Sequence, residues 1–328
     1  MASIKQRRPS SSNSIFKIFA AFWANAGVSV FFVIMFIALS VFVPNFFSIP
    51  NMIGLSLSVS MVGMVASTML FCLAGGDFDL SVEATVAFSG VMVATLINKT
   101  QNLPFSIIAS VFLGAFIGFM NGLIISKLKI NALITTLATM NIVRGLGYII
   151  SGGISVGVIE DRFFMIGNGT TLGIPNPIWI TVICFIVLGV LLNFTVYGKN
   201  TLAIGGNKEA AYLAGVNVDL VKILNFTLQG AVASFAGVIL TSRMTSGQPT
   251  ASQGFALDVI SACVLGGVSL AGGSGTMGGV IIGVLIMGTM QNALNLLNIP
   301  TFYQYVIRGI VLLLAVFLDQ VRQKKVNS

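Results

Sequence analysis

Apolar runs of about twenty residues recur along the chain, separated by short polar breaks, and they leave few folds open. The runs fall at 24–44, 52–73, 80–98, 104–126, 132–151, 177–196, 223–243, 256–271, 276–298 and 301–319. A helix needs roughly 20 apolar residues to cross a hydrocarbon core. Within that core every backbone N–H and C=O must find a partner in the protein, which runs of this length achieve as helices. Composition agrees: 8% of the residues are charged, against about 25% in a soluble domain. The expected fold is an all-α integral membrane protein with about ten transmembrane helices. It comprises one membrane domain over 22–319, a polar N-terminal tail at 1–21 and a short polar tail at 320–328. The run from Val28 to Val43 ends at Pro44-Asn45 without a small-residue cleavage pattern, so it is expected to be a retained span and not a removed signal.

About ten spans put both termini on one side, and basic residues choose the side. Lys5, Arg7, Arg8, Lys17, Lys127, Lys129, Lys199, Lys208, Lys222, Arg322, Lys324 and Lys325 fall on one face, and Lys99, Arg162 and Arg243 on the other. Both termini are therefore expected in the cytoplasm. The turns at 74–80 and 271–276 carry no basic residue to place them. The net charge of +8 does not indicate nucleic acid, because the cations flank apolar spans instead of gathering on one soluble face. Cys72, Cys184 and Cys263 lie in apolar runs and read as buried small hydrophobes. With no histidine in the chain, no His-based metal site or proton relay is expected.

Several polar groups interrupt the spans. In Gly75-Gly76-Asp77-Phe78-Asp79-Leu80-Ser81 two glycines break a helix and two carboxylates follow. Irregular backbone at depth is tolerated only where protein or water satisfies it, so Asp77, Asp79 and Ser81 are candidate pathway residues. Asp79 or Ser81 serves equally well as a cap for the next span. Arg144, a further candidate pathway residue, and Arg308 lie inside apolar runs. There a cation costs on the order of 3 kcal/mol and needs a carboxylate partner, an aqueous cavity or a route to the interface. Asp77, Asp79 and Asp258 are candidate partners. Asn121 and the run Asn131, Thr135, Thr136, Thr139 and Asn141 offer neutral donors and acceptors suited to a hydroxyl-rich solute, or to hydrogen bonds between helices. Small residues at Gly114, Gly118, Gly122 and at Gly275, Gly279, Gly283 mark close helix packing. A faint repeat links Met120-Asn121 with Met290-Gln291-Asn292, and Val143-Arg144-Gly145-Leu146 with Ile307-Arg308-Gly309-Ile310. The fourth and ninth spans cross in opposite directions, as an inverted internal repeat requires. The polar loops 151–177, with Glu160, Asp161 and Arg162, and 245–254 are expected outside.

The longest polar interruption in the second half is Gly205-Gly206-Asn207-Lys208-Glu209-Ala210-Ala211-Tyr212-Leu213-Ala214-Gly215-Val216. Asn207 suits an N-cap and Gly215 a C-terminal stop, which predicts a short helix at 207–215. So short a helix is marginal in water and needs something to pack on. Ala210, Ala211 and Ala214 give it a small-residue face. By residues alone, a solvated loop helix and a docking helix both fit.

GGNKEAAYLAGV resembles the cytoplasmic coupling loop of sugar permeases in the ATP-binding cassette (ABC) importer family. Gly75–Ser81, Lys129-Ile130-Asn131-Ala132 with Thr135-Thr136-Leu137, and Gly266-Gly267-Val268-Ser269-Leu270-Ala271-Gly272-Gly273 are similar to the same family. The likeness runs from about residue 25 to the C-terminus. The runs KINALITTLATM, SRMTSGQP and VISACVLGGVSL are most similar to its L-arabinose members. The resemblance implies a permease subunit in a bacterial inner membrane, importing a monosaccharide, L-arabinose first. Gly205, Gly206, Asn207, Lys208, Glu209, Ala210, Ala211, Ala214 and Gly215 would meet a cytoplasmic ATPase subunit. A periplasmic sugar-binding protein and a second permease copy would complete the assembly. No Gly-x-x-x-x-Gly-Lys-Ser/Thr loop occurs here, so ATP would act on the partner ATPase, and the chain itself is expected to hold no cofactor or metal and to be no enzyme. The rival expectation is a secondary transporter driven by an ion gradient through Asp77, Asp79 or Glu83.

Overall fold

The computed structural model describes the backbone of residues 12–326, and the side chains of residues 27–317 and 320. Lys5, Arg7 and Arg8 of the expected N-terminal tail lie outside the described residues, as do the side chains of Lys17, Arg322, Lys324 and Lys325. The chain opens with α1 (Ser12–Phe42), α2 (Ile49–Ala74), α3 (Val82–Thr100), α4 (Leu103–Lys127) and α5 (Ala132–Ser151). A loop region follows, with β1 (Val156–Gly157), α6 (Asp161–Asn168), β2 (Thr170–Thr171) and β3 (Ile174–Pro175). Then come α7 (Asn176–Phe194), α8 (Val196–Gly206), α9 (Lys208–Leu213) and α10 (Val218–Met244). The last elements are β4 (Ser246–Gly247), α11 (Phe255–Leu265), α12 (Met277–Leu296) and α13 (Thr301–Val326). Helix α1 begins, and α13 ends, within the stretches expected as tails.

Among the described residues seven helices, α2, α3, α4, α5, α7, α10 and α12, are long and apolar enough to cross a membrane. Three shorter apolar helical stretches accompany them: Gly27–Phe42, Phe255–Leu265 and Thr301–Phe317. Each of the ten apolar runs thus meets a helix, but the run at 256–271 does not stay helical. Gly266 ends α11, and Gly267 takes φ +84°, a left-handed conformation that glycine adopts without a Cβ penalty. At 1.5 Å per residue, α11 is about 16 Å long, roughly half a hydrocarbon core.

Helix α2 sits at the centre. From Met64 to Ala74 every residue is buried, as expected of a helix that is apolar on all sides. Outer helices α4, α5 and α7 bury only one face each. Helix α10 packs on α4 through the small residues foreseen as a packing face. A Cβ on Gly114, Gly118 or Gly122 would strike Ser234, Phe226 or Ile223 respectively. Two of the three glycines in the second row do the same at α11, Gly279 on Gly266 and Gly283 on Ala262, while Gly275 lies on Leu70 of α2 and on Val268. In hydrocarbon, where water does not drive helices together, such close backbone contact is a principal source of association.

The loop at 151–177 is built, not slack. Strands β2 and β3 form a hairpin whose two turn residues, Leu172 and Gly173, take φ 55° and 76°, the geometry that matches strand twist. Strand β1 pairs antiparallel with β4. Residues 247–254, expected simply as an outer loop, turn inward along α3. Gly247 lies against Gly90 and Val91, while Ser252 and Gly254 hydrogen-bond Glu83. That is a descent of about 10 Å along the helix.

Candidate functional site

Segment 205–216 folds as its end signals require. The Asn207 side chain accepts the Ala210 N–H at 2.9 Å, satisfying one of the unpaired donors of α9. Gly215 takes φ +85°. Its N–H donates to Tyr212 O and the Val216 N–H donates to Ala211 O, both at 3.0 Å, a paired closure of a helix end by a left-handed residue. The side-chain distribution differs from a uniform small-residue face. Ala211 is buried at 5% exposure among Ile204, Val218 and Val221, with Tyr197 and Val216 alongside. Ala210 and Ala214 are exposed, together with Lys208, Glu209, Tyr212 and Leu213. A helix of six residues cannot hold itself, and the Ala211 side anchors it to the protein. Tyr212, Leu213, Lys208, Glu209 and Lys129 line an open cleft of about 960 Å³ beside α10.

Three glycine pairs meet above this helix. The Gly273 N–H donates to Ala74 O at 2.9 Å, filling a carbonyl left free by the last turn of α2. A Cβ on Gly205 would collide with that same carbonyl and with Gly273 N. Gly272, at φ +87°, packs on Gly205 and Gly76, and Gly273 packs on Gly206. The turns at 74–80 and 271–276, which no basic residue located, therefore lie at the same end of the molecule as segment 205–216. Asp77 there accepts from Lys222 Nζ at 2.6 Å, a pair with each side chain only 11% exposed. Asp219 accepts from Lys127 at 2.9 Å and Lys129 at 3.1 Å, on the exposed rim. Lys127, Lys129, Lys208 and Lys222 thus gather at one end. Arg162 and Arg243 lie at the other, near β1, β4 and α6.

The candidate pathway residues divide into groups. Asp79, Ser81, Asn121 and Thr139 form one hydrogen-bonded chain. Asp79 Oδ1 accepts from the Ser81 N–H and Oγ–H at 2.9 and 2.6 Å. Ser81 Oγ accepts from Asn121 Nδ2 at 2.9 Å, and Asn121 Oδ1 accepts from the Thr139 hydroxyl at 2.6 Å. Asp79 Oδ2 is buried without a partner among the described residues. Ser81 is the N-cap residue of α3 but makes no side-chain cap bond. Thr135 and Thr136 donate to the carbonyls of Asn131 and Ala132 in their own helix. Asn131 caps α5 by accepting from Leu133 N at 2.9 Å. Asn141 donates to Leu137 O and is exposed on the outer face of α5.

Both membrane arginines have carboxylate partners. Arg308 donates to Asp258 at 3.1 Å and stacks over the Tyr305 ring at 5.7 Å. Arg144 donates to Glu83 at 2.5 Å, a residue outside the three carboxylates considered as its partners. Sequence reading also missed Asn225, a polar residue inside an apolar span. It donates to Phe71 O and accepts from Tyr197 and Thr201, tying α10 to α2 and α8. Among the described residues no His, Cys, Asp and Glu side chains cluster as metal ligands.

A family described as branched-chain amino acid transport system, permease component, matches residues 51–316. The chain belongs to this permease family. It is 55% identical to the L-arabinose transport system permease protein of Escherichia coli, over 99% of this chain and 98% of that protein. It is 53% identical to the L-arabinose ABC transporter permease protein of Azospirillum brasilense, over 92% and 88%. The ribose import permease protein of Bacillus subtilis is 43% identical over 88% and 90%. No solved structure matches the chain. As a permease component the chain is a multi-pass membrane transport subunit, not an enzyme. Within the permease, the carboxylates proposed for an ion-driven mechanism are unequally available: Asp77 and Glu83 hold cations of the chain itself.

Proposed function

We propose that this permease is the membrane-spanning subunit of an ATP-driven importer for a monosaccharide, L-arabinose first and another pentose or hexose next. The observation that carries this is the 55% identity, over nearly the full length of both chains, to a protein named as an L-arabinose permease. The family description is wider and speaks of amino acids; the sugar comes from these relatives. ATP is bound by a partner ATPase, and a periplasmic binding protein delivers the sugar. The chain works as two copies in an inner membrane, with both termini and α9 in the cytoplasm.

In this reading α9 is the surface that meets the ATPase. Exposed Tyr212 and Leu213, at 71% and 84%, supply apolar contact, and Lys208 and Glu209 flank them. Sugar passes along the outer side of α5, where Asn141 is exposed and Thr139 is half-buried. The chain from Asp79 to Thr139 holds that helix against the α2–α3 break. Ten spans in two inverted halves account for the seven long helices and three shorter ones.

The test is uptake of labelled L-arabinose by proteoliposomes containing permease, ATPase and binding protein, with ATP inside and an ionophore present. Uptake that continues with the ionophore and stops without ATP is expected. Uptake abolished by the ionophore while ATP stays high would select the ion-coupled mechanism. Growth of a deletion strain on low arabinose, restored by the permease with its partners, tests the sugar. Rescue on ribose or xylose alone would move the substrate and leave the mechanism.

A further inference from the structure

Helices α3 and α11 start against each other. Ser252 Oγ donates to the Glu83 carbonyl at 2.8 Å, and the Gly254 N–H donates to Glu83 Oε2 at 3.0 Å. The Gly254 carbonyl in turn accepts the Asp258 N–H at 3.2 Å. One glycine therefore touches the first turn of both helices. Each first turn carries one acid, Glu83 in α3 and Asp258 in α11. Acids are favoured there by the helix dipole.

Each acid also holds an arginine from the second helix after its own. Glu83 pairs with Arg144 on α5, and Asp258 with Arg308 on α13. Both arginines precede a glycine, Gly145 and Gly309, and a Cβ on either glycine would meet nothing within 4 Å. Helices α5 and α13 both expose large apolar residues beside the arginine, Ile142 and Leu146 on one, Tyr305 and Ile310 on the other. The four ionic side chains are 10–21% exposed. Among the described residues Arg144 Nε is buried without an acceptor, and Glu83 is the one carboxylate paired with that cation. A charge held this far from water with a single partner resists any position in which the partner is lost.

We propose that Glu83–Arg144 and Asp258–Arg308 are one positioning device used twice. Each pair pins the outer helix of one half, α5 or α13, to the first turn of an inner helix. Glu83 additionally joins the two halves through Gly254. The four residues set where the outer helices stand during transport, and they do so without reading the sugar. The inference rests on the transport reading above. It is scored on uptake itself, so it stands or falls whichever energy source the ionophore experiment selects.

The test is a charge-neutralisation cycle in proteoliposomes with the full set of partners, normalised to permease abundance. Glu83→Gln keeps an acceptor for the Gly254 N–H but strands the Arg144 cation. Arg144→Gln strands the Glu83 carboxylate, and the double variant strands neither. Each single variant is expected to lower the maximal uptake rate by about tenfold or more, and the double to recover several-fold over the worse single. Arg144→Lys, which keeps the cation, is expected to retain much of the rate. The binding-protein concentration giving half-maximal uptake stays unchanged, since none of these residues reads the sugar. Asp258→Asn and Arg308→Gln should follow the same pattern in the second half. Normal uptake by Arg144→Gln, a double variant no better than its worse single, or a shifted half-saturation at unchanged maximal rate would each overturn the proposal.

Discussion

Gly205 and Gly206 are adjacent, end the same helix and have the same intrinsic propensity, yet the fold treats them differently. A Cβ on Gly205 would run into the Ala74 carbonyl and the Gly273 amide, both backbone groups that no rotamer change can move aside. A Cβ on Gly206 would lie 3.9 Å from Gly273 Cα, an ordinary contact. Replacing either glycine by alanine gains about 1 kcal/mol of helix propensity. At Gly205 that gain is opposed by overpacking of about 1–3 kcal/mol. Losing the Gly273–Ala74 hydrogen bond costs about 1 kcal/mol more. Gly205→Ala should therefore sit about 2–4 kcal/mol below Gly206→Ala. The assay is thermal unfolding of the purified permease in one detergent, with sugar uptake by the reconstituted complex measured in parallel. Gly206→Ala should match or exceed the parent, while Gly205→Ala melts earlier and transports slowly. Equal behaviour of the two variants would refute the idea that the three glycine pairs form a close junction between α8 and the turns at 74–80 and 271–276.

Lys222→Met leaves Asp77 buried without its cation, and should destabilise the permease by about 3–5 kcal/mol; adding Asp77→Asn should recover much of that, as measured by the melting difference between single and double variants. Tyr212→Ala and Leu213→Asp should leave the permease abundant in the membrane but lower retention of the ATPase on co-purification and lower uptake with it. Ala211→Trp should instead reduce permease abundance, because Ala211 is buried against Ile204, Val218 and Val221; a fully stable Ala211→Trp variant would contradict that packing. Reporter fusions at Asn200 and Asn168 should report cytoplasm and periplasm respectively, and a periplasmic signal at Asn200 would remove α9 from reach of any cytoplasmic ATPase.

The sequence by itself determined everything that depends on neighbours along the chain. Apolar runs of span length specify helices because the hydrocarbon leaves the backbone no other partner. Asn207 and Gly215 bound α9 because a cap and a left-handed residue act within one turn. The glycine rows of α4 and α12 announced close packing for the same local reason. Tertiary structure alone decided which distant groups meet. Arg144 could be seen to need a carboxylate, but Glu83, 61 residues away, is its partner only because α3 and α5 pack together. Lys222 looked like a topology signal, and Asp77 lies 145 residues from it. Ala211 belongs to a helix too short for its pattern to say which side is anchored, and a cluster from α8 and α10 settles the matter. The run at 256–271 looked like a full span, yet α11 stops at Leu265 because the glycines that follow turn back to close the junction with Gly205 and Ala74. Pairing energies of charges and close backbone contacts depend on distance in space, and separation along the chain carries no record of that distance.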